Sequence, residues 1–122
     1  MGTVAVSPFR LPSMPVEGDL VAKYFRGLGD PTRLRILALL REEGELSVGE
    51  LARRLGASQP KLSNHLACLR WCGFLETRRH GRTVYNRIAD PRVPAMLELA
   101  ESLLADNAAH VAACCRIPAV SP

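Results

Sequence analysis

Residues 47–73 read SVGELARRLGASQPKLSNHLACLRWCG, and their punctuation decides the fold. Ser47 and Glu50 have the spacing of a capping box, in which a hydroxyl and a carboxylate satisfy one another's backbone amides at the start of a short helix ending near Leu55. Gly56 stops that helix and opens a tight turn. Ser58 caps the next helix, and Pro60 sits in its first turn, where a missing N–H costs nothing. Leu62, Leu66 and Leu69 then fall on one face until Gly73 breaks the pattern. Two short helices joined by a three-residue, glycine-containing turn are the signature of a helix-turn-helix.

Upstream, residues 16–28 carry Leu20, Val21, Tyr24, Phe25 and Leu28 at helical spacing and end at Gly29. Asp30-Pro31 opens a second helix, running to about Glu42, with Leu34, Ile36, Leu37 and Leu40 as its expected buried stripe. Residues 1–15 hold Pro8, Pro12 and Pro15 without periodicity and are read as a flexible N-terminal arm. Downstream the period shortens. Residues 75–79 and 83–88 read as strands around the basic tip His80-Gly81-Arg82, which makes a wing. Asp90-Pro91 repeats the helix-start pair, and Val93, Met96, Leu97, Ala100, Leu103 and Leu104 mark the apolar side of a long helix whose Ala-rich continuation reaches Cys115 before Pro118. The expected fold is mainly α with a small β-hairpin wing. It is a winged helix-turn-helix over residues 16–113, followed by a tail, 114–122, that carries candidate metal ligands.

At 122 residues with 48% apolar content the chain is one small domain, which buries only about 60 to 70% of its unfolded surface, and a second copy would add core. No apolar run approaches the roughly 18 to 20 residues of a membrane span, and the N-terminus lacks signal-peptide order, so no membrane partner and a cytoplasmic location are expected. A net charge of +4 suits a polyanion such as nucleic acid. In a reducing compartment the four cysteines are thiols, metal ligands or redox sensors in preference to structural disulfides.

Cys68 and Cys72 stand four apart on the second helix of the helix-turn-helix, so both can point at one ion, about 100° round from the leucine stripe. Thiolates select soft ions, here Cd(II), Pb(II) or Zn(II). Cys114 and Cys115 can bring the set to three or four. Three sulfurs suit Cd(II) and Pb(II), whereas Zn(II) usually wants a fourth donor, from the second tail cysteine or His110. The plain alternative is that Cys68 and Cys72 are small buried apolar residues, and a frayed tail tolerates any residue at 114 and 115. The exposed side of the same helix offers Ser58, Gln59, Lys61, Ser63, Asn64 and His65 to a DNA groove, and Arg78, Arg79, His80 and Arg82 crowd the wing, unless they are merely a solvated charged surface. Trp71 is read as a packing residue.

The words DPTRLRIL, ELARRLGASQPKLSNHLACLR and GRTVYNRIAD, in this order of elements, resemble the ArsR/SmtB family of metal-responsive repressors over roughly residues 20 to 105. The resemblance implies a homodimer paired through its first and last helices that binds double-stranded operator DNA when metal-free and releases it when the inducer binds. It also implies Gln59, Ser63 and His65 as base contacts. The arsenic-type site of such proteins needs a Cys-x-Cys where this chain has Ser47 and Gly49, and the zinc-type site needs ligands where it has Asp90, Arg92, Leu103 and Asp106. The segment HLACLRWCGFL is similar to that of the CmtR-like cadmium and lead sensors, in which two cysteines there are joined by a third from the C-terminal tail. A thiol redox or persulfide switch on the same fold is the alternative function. An enzyme is not expected, because no nucleophile, base and orienter set and no nucleotide-binding glycine loop is present.

Overall fold

The computed structural model describes residues 15–118. The expected N-terminal arm falls outside the described residues except for Pro15, which begins the first helix, and residues 119–122 of the expected tail lie outside them too. In chain order the elements are α1 (Pro15–Leu28), α2 (Pro31–Glu43), β1 (Glu45–Ser47), α3 (Val48–Leu55), α4 (Gln59–Trp71), β2 (Leu75–His80), β3 (Thr83–Ile88) and α5 (Arg92–Ala113).

The expected helix starts are present atom by atom. The Asp30 carboxylate accepts from the Arg33 amide at 3.0 Å, Ser58 Oγ accepts from the Lys61 amide at 3.4 Å, and the Ser47–Glu50 capping box is closed in both directions. At the other end of α4, Phe74 N–H donates to Leu69 C=O and Gly73 N–H to Arg70 C=O, with Gly73 at φ 85°. This is a Schellman closure, which needs a left-handed residue and packs the residue beyond it back on the helix. Phe74 is accordingly buried beside Leu69.

The strands form one antiparallel sheet in the order β1-β3-β2. β1 was not expected from the sequence. It pairs Leu46 with Asn86, whose buried Nδ2 donates to the Leu46 carbonyl at 3.4 Å. The wing turn is tighter than expected: His80 pairs with Thr83, leaving Gly81-Arg82 as a two-residue loop. Gly81 has φ 63° and no other residue type among the described residues has positive φ, the pattern of a type II′ turn, whose twist matches the flanking strands.

Leu28, Ile36, Leu37, Leu40, Leu46, Leu51, Leu62, Leu66, Leu69, Phe74, Leu75, Val93 and Leu97 make a single core. Several apolar positions read on these helices do not join it: Leu20, Tyr24, Phe25, Leu34, Ala100, Leu103 and Leu104 are exposed. Leu34 is 40% exposed, Leu103 58% and Leu104 48%, because beyond Leu97 α5 meets α2 through the exposed Arg41–Glu101 ion pair and leaves its apolar side uncovered. Trp71, expected to pack, is 92% exposed on the last turn of α4.

A candidate nucleic-acid interface with a thiol pair on its reading helix

α3, the Gly56 turn and α4 form the helix-turn-helix. Leu51, Leu62, Leu66 and Leu69 hold its inner face. The outer face of α4 presents Gln59, Lys61, Ser63 and Asn64 to solvent, with Ser58 exposed at its start although its hydroxyl is engaged as the cap. Short polar groups on a helix anchored from behind are what a major groove accepts.

His65 departs from the expectation. Its side chain is 15% exposed and turned toward the start of α2, where Nδ1 accepts a hydrogen bond from Arg33 Nε at 3.1 Å. A half turn past Ser63, it follows the leucine face inward, and the exposed-side assignment is corrected accordingly. In the wing, Arg79, His80 and Arg82 are exposed and their side chains make no hydrogen bond or ion pair among the described residues. Arg78 differs: it is held by Glu45 at 2.7 Å and stacks over the Tyr85 ring, 5.1 Å from its centroid. Arg78 holds the Glu45 carboxyl below its ordinary value.

Cys68 is half-buried and Cys72 exposed, one turn apart at the end of α4, with the two thiols within electrostatic reach of one another. Burial pushes the Cys72 thiol up, the neighbouring sulfur adds to the rise, and the cations of Arg33 and Lys23 pull it back. Cys72 opens on a cleft of about 420 Å³ shared with Tyr24, Asp90, Arg92, Val93 and Met96. Burial and Cys72 also raise the Tyr24 phenol. Lys23, Tyr24 and Arg33 were not linked to the thiols by the sequence, since nothing local signals contacts so distant along the chain.

The tail cysteines sit elsewhere. Cys114 caps the C-terminus of α5 and Cys115 follows it, beside Val111 and Ile117. The cleft at Cys72 is lined by the opening turns of α5, and at about 1.5 Å per residue its far end lies roughly 30 Å away. Among the described residues, no group of three or more His, Cys, Asp or Glu side chains is close enough within one chain to hold a metal ion.

The other two positions raised by the resemblance carry different chemistry. Asp90 and Arg92 form an ion pair at 2.7 Å, and the Arg92 guanidinium and amide draw the Asp90 carboxyl down to about 2. Leu103 and Asp106 are exposed along α5, and Ser47 is committed to its cap.

Residues 30–77 match the family described as "Bacterial regulatory protein, arsR family". The chain is 44% identical over 100 residues to a probable mercury resistance operon repressor of Streptomyces lividans, covering 82% of this chain and 79% of that protein. It is 42% identical over 86 residues to the HTH-type transcriptional regulator CmtR of Mycobacterium bovis, covering 70% of this chain and 72% of that one. Among solved structures, the homodimeric winged helix-turn-helix DNA-binding domain of a possible ArsR-family regulator from Mycobacterium bovis superposes with a TM-score of 0.68 at 31% identity, covering 83% of this chain and 92% of that one. No helix among the described residues is long and apolar enough to cross a membrane. The chain is a winged helix-turn-helix protein of the arsR family of bacterial regulatory proteins, a regulator and not an enzyme.

Proposed function

We infer that this regulator is a homodimeric, cytoplasmic transcriptional repressor that holds operator DNA in its metal-free state and releases it when a thiophilic ion binds Cys68 and Cys72. The observation that carries this reading is the thiol pair itself. Two thiols one turn apart, Cys68 in the last turn of α4 and Cys72 at its C-cap, lie within electrostatic reach of one another, so an ion bound there acts on the element that faces DNA. Ser58, Gln59, Lys61, Ser63 and Asn64 would meet the groove, with Arg79, His80 and Arg82 of the wing on the phosphates.

Two sulfurs alone make an incomplete soft-ion site, and Cys114 or Cys115 would supply the third. The length of α5 favours a tail from the second copy, and the uncovered apolar side of α5 offers a surface for that copy. The relatives support this reading through their own names, one a probable mercury resistance operon repressor and one a homodimeric winged helix-turn-helix DNA-binding domain. Cd(II) and Pb(II) fit a three-sulfur set best. Zn(II) would need a fourth donor.

The test is fluorescence anisotropy of the reduced, full-length protein on its own promoter duplex under anaerobic conditions, titrated with Cd(II), Pb(II), Zn(II) and Hg(II), beside Cys68→Ser. Release from the wild type but not from the variant is the expected outcome. Tight binding indifferent to every ion overturns metal sensing.

A further inference from the structure

Arg33 joins three helices at the base of α4. Its backbone N–H donates to Asp30 Oδ1 at 3.0 Å, its Nη1 donates to the Gly27 carbonyl at 3.0 Å, and its Nε donates to His65 Nδ1 at 3.1 Å. Gly27 lies in the last turn of α1, Asp30 caps α2, and His65 lies at the middle of α4. No other side-chain hydrogen bond among the described residues ties α4 to a different element.

The leucines beneath α4 cannot do this job alone. Leu62, Leu66 and Leu69 set which face of α4 points inward, but apolar contact is non-directional and tolerates small rotations about that setting. A hydrogen bond with little exposure to water does fix it. With Nδ1 engaged by Arg33, the ring lies against α2 and not along the outer face where Gln59, Ser63 and Asn64 point.

We propose that Arg33 and His65 form a positioning clamp that sets the pose of α4 for operator binding, and that His65 serves recognition through this bond and not by reading a base. The proposal rests on the reading of α4 as the DNA-contacting helix. The same Arg33 charge is felt at Cys72, so the clamp and the thiol pair share a cation. A helix released from the clamp presents its whole outer face at the wrong angle, which weakens binding to every sequence alike.

The experiment titrates the full-length protein by fluorescence anisotropy on its promoter duplex and on duplexes each changed at one operator base pair. The proteins are wild type, His65→Ala, His65→Asn, Arg33→Gln and the Arg33→Gln/His65→Ala pair, each first checked for folding by circular dichroism. His65→Ala is expected to lose about tenfold in affinity on all duplexes, the loss implied by one hydrogen bond to a charged donor. Asn can place its Oδ1 where Nδ1 stood, so His65→Asn is expected to return to within about twofold of wild type, and the double variant to be no weaker than the weaker single one. A His65→Ala loss that disappears on the duplex changed at one particular base pair makes His65 a base reader and overturns the clamp. An Asn variant as weak as Ala, or additive losses in the double variant, overturns it as well. Wild-type protein that binds none of the duplexes removes the DNA-reading role of α4 itself, and the clamp with it.

Discussion

Arg92 closes on Asp90 at the mouth of α5, its Nη2 2.7 Å from Oδ2 while its backbone N–H donates to Oδ1 at 2.8 Å. One carboxylate thus starts the long helix and neutralises the cation beside it, at two of the four positions where the zinc-type site of the resemblance needs ligands. The pair has a pH signature. The Asp90 carboxyl is lowered from 3.8 to about 2 in the folded chain, so its contribution to stability is complete above the ordinary carboxylate range and is lost as the pH falls through about 2. Urea unfolding of wild type and Asp90→Asn from pH 5 to pH 2 is expected to show the variant less stable at pH 5, with the difference shrinking toward pH 2. A constant difference across that range would remove the ion pair as its cause.

If the third sulfur comes from the second copy, complementary variants should rescue one another. Cys72→Ser chains with intact tails, co-assembled with Cys114→Ser/Cys115→Ser chains, should recover about half the wild-type thiolate-to-metal absorbance, while each variant alone shows little, because only the mixed dimer contains one whole three-sulfur set. Absence of recovery in verified mixed dimers would place the third donor elsewhere.

The uncovered side of α5 is the next target. Leu103→Glu puts a carboxylate where Leu99, Leu103 and Leu104 are all exposed in the single chain. A second copy packed there would have to bury that charge unpaired, so the dimer dissociation constant should rise by about 100-fold or more. Sedimentation equilibrium reads the effect directly, and an unchanged constant would direct the dimer to another face.

Arg82 sits at the tip of the wing turn, exposed and without an ion pair among the described residues. Arg82→Ala should lower the slope of log affinity against log salt concentration by about 0.9 on operator and unrelated DNA alike, the signature of one lost phosphate contact. Arg78→Ala should do less, since its guanidinium is already committed to Glu45.

The capping box at Ser47 also makes a stability prediction. Ser47→Ala leaves the Glu50 amide without its acceptor and should cost about 1 kcal/mol in urea unfolding, with the fold retained.

Much of the architecture was legible because it is written in local terms. Asp30, Ser47 and Ser58 each satisfy amides within three residues of themselves, and Gly56 and Gly73 supply the left-handed turns that end α3 and α4. The leucines of α4 repeat at the helix period, so Leu62, Leu66 and Leu69 could be assigned to the core without knowing what they touch. The spacing of Cys68 and Cys72 likewise fixes their shared face on any helix.

What stayed hidden depends on partners distant in the chain. β1 is three residues long, too short for a period, and exists because β3 arrives to pair with it. Leu34, Leu103 and Leu104 carry the same apolar signal as Leu37 and Leu97, and only the way α5 packs beside α2 decides that they are uncovered.

Local hydrogen bonds and helical periodicity therefore let the amino-acid sequence alone determine the winged helix-turn-helix, its reading helix and the paired thiols upon it. The inward turn of His65 to Arg33, 32 residues away, the capture of Arg78 by Glu45 and the separation of the tail cysteines from Cys72 were decided only by tertiary structure. The physical reason is that a side chain's orientation among competing partners is set by which elements pack beside it, and residues so far apart in sequence carry no record of that meeting.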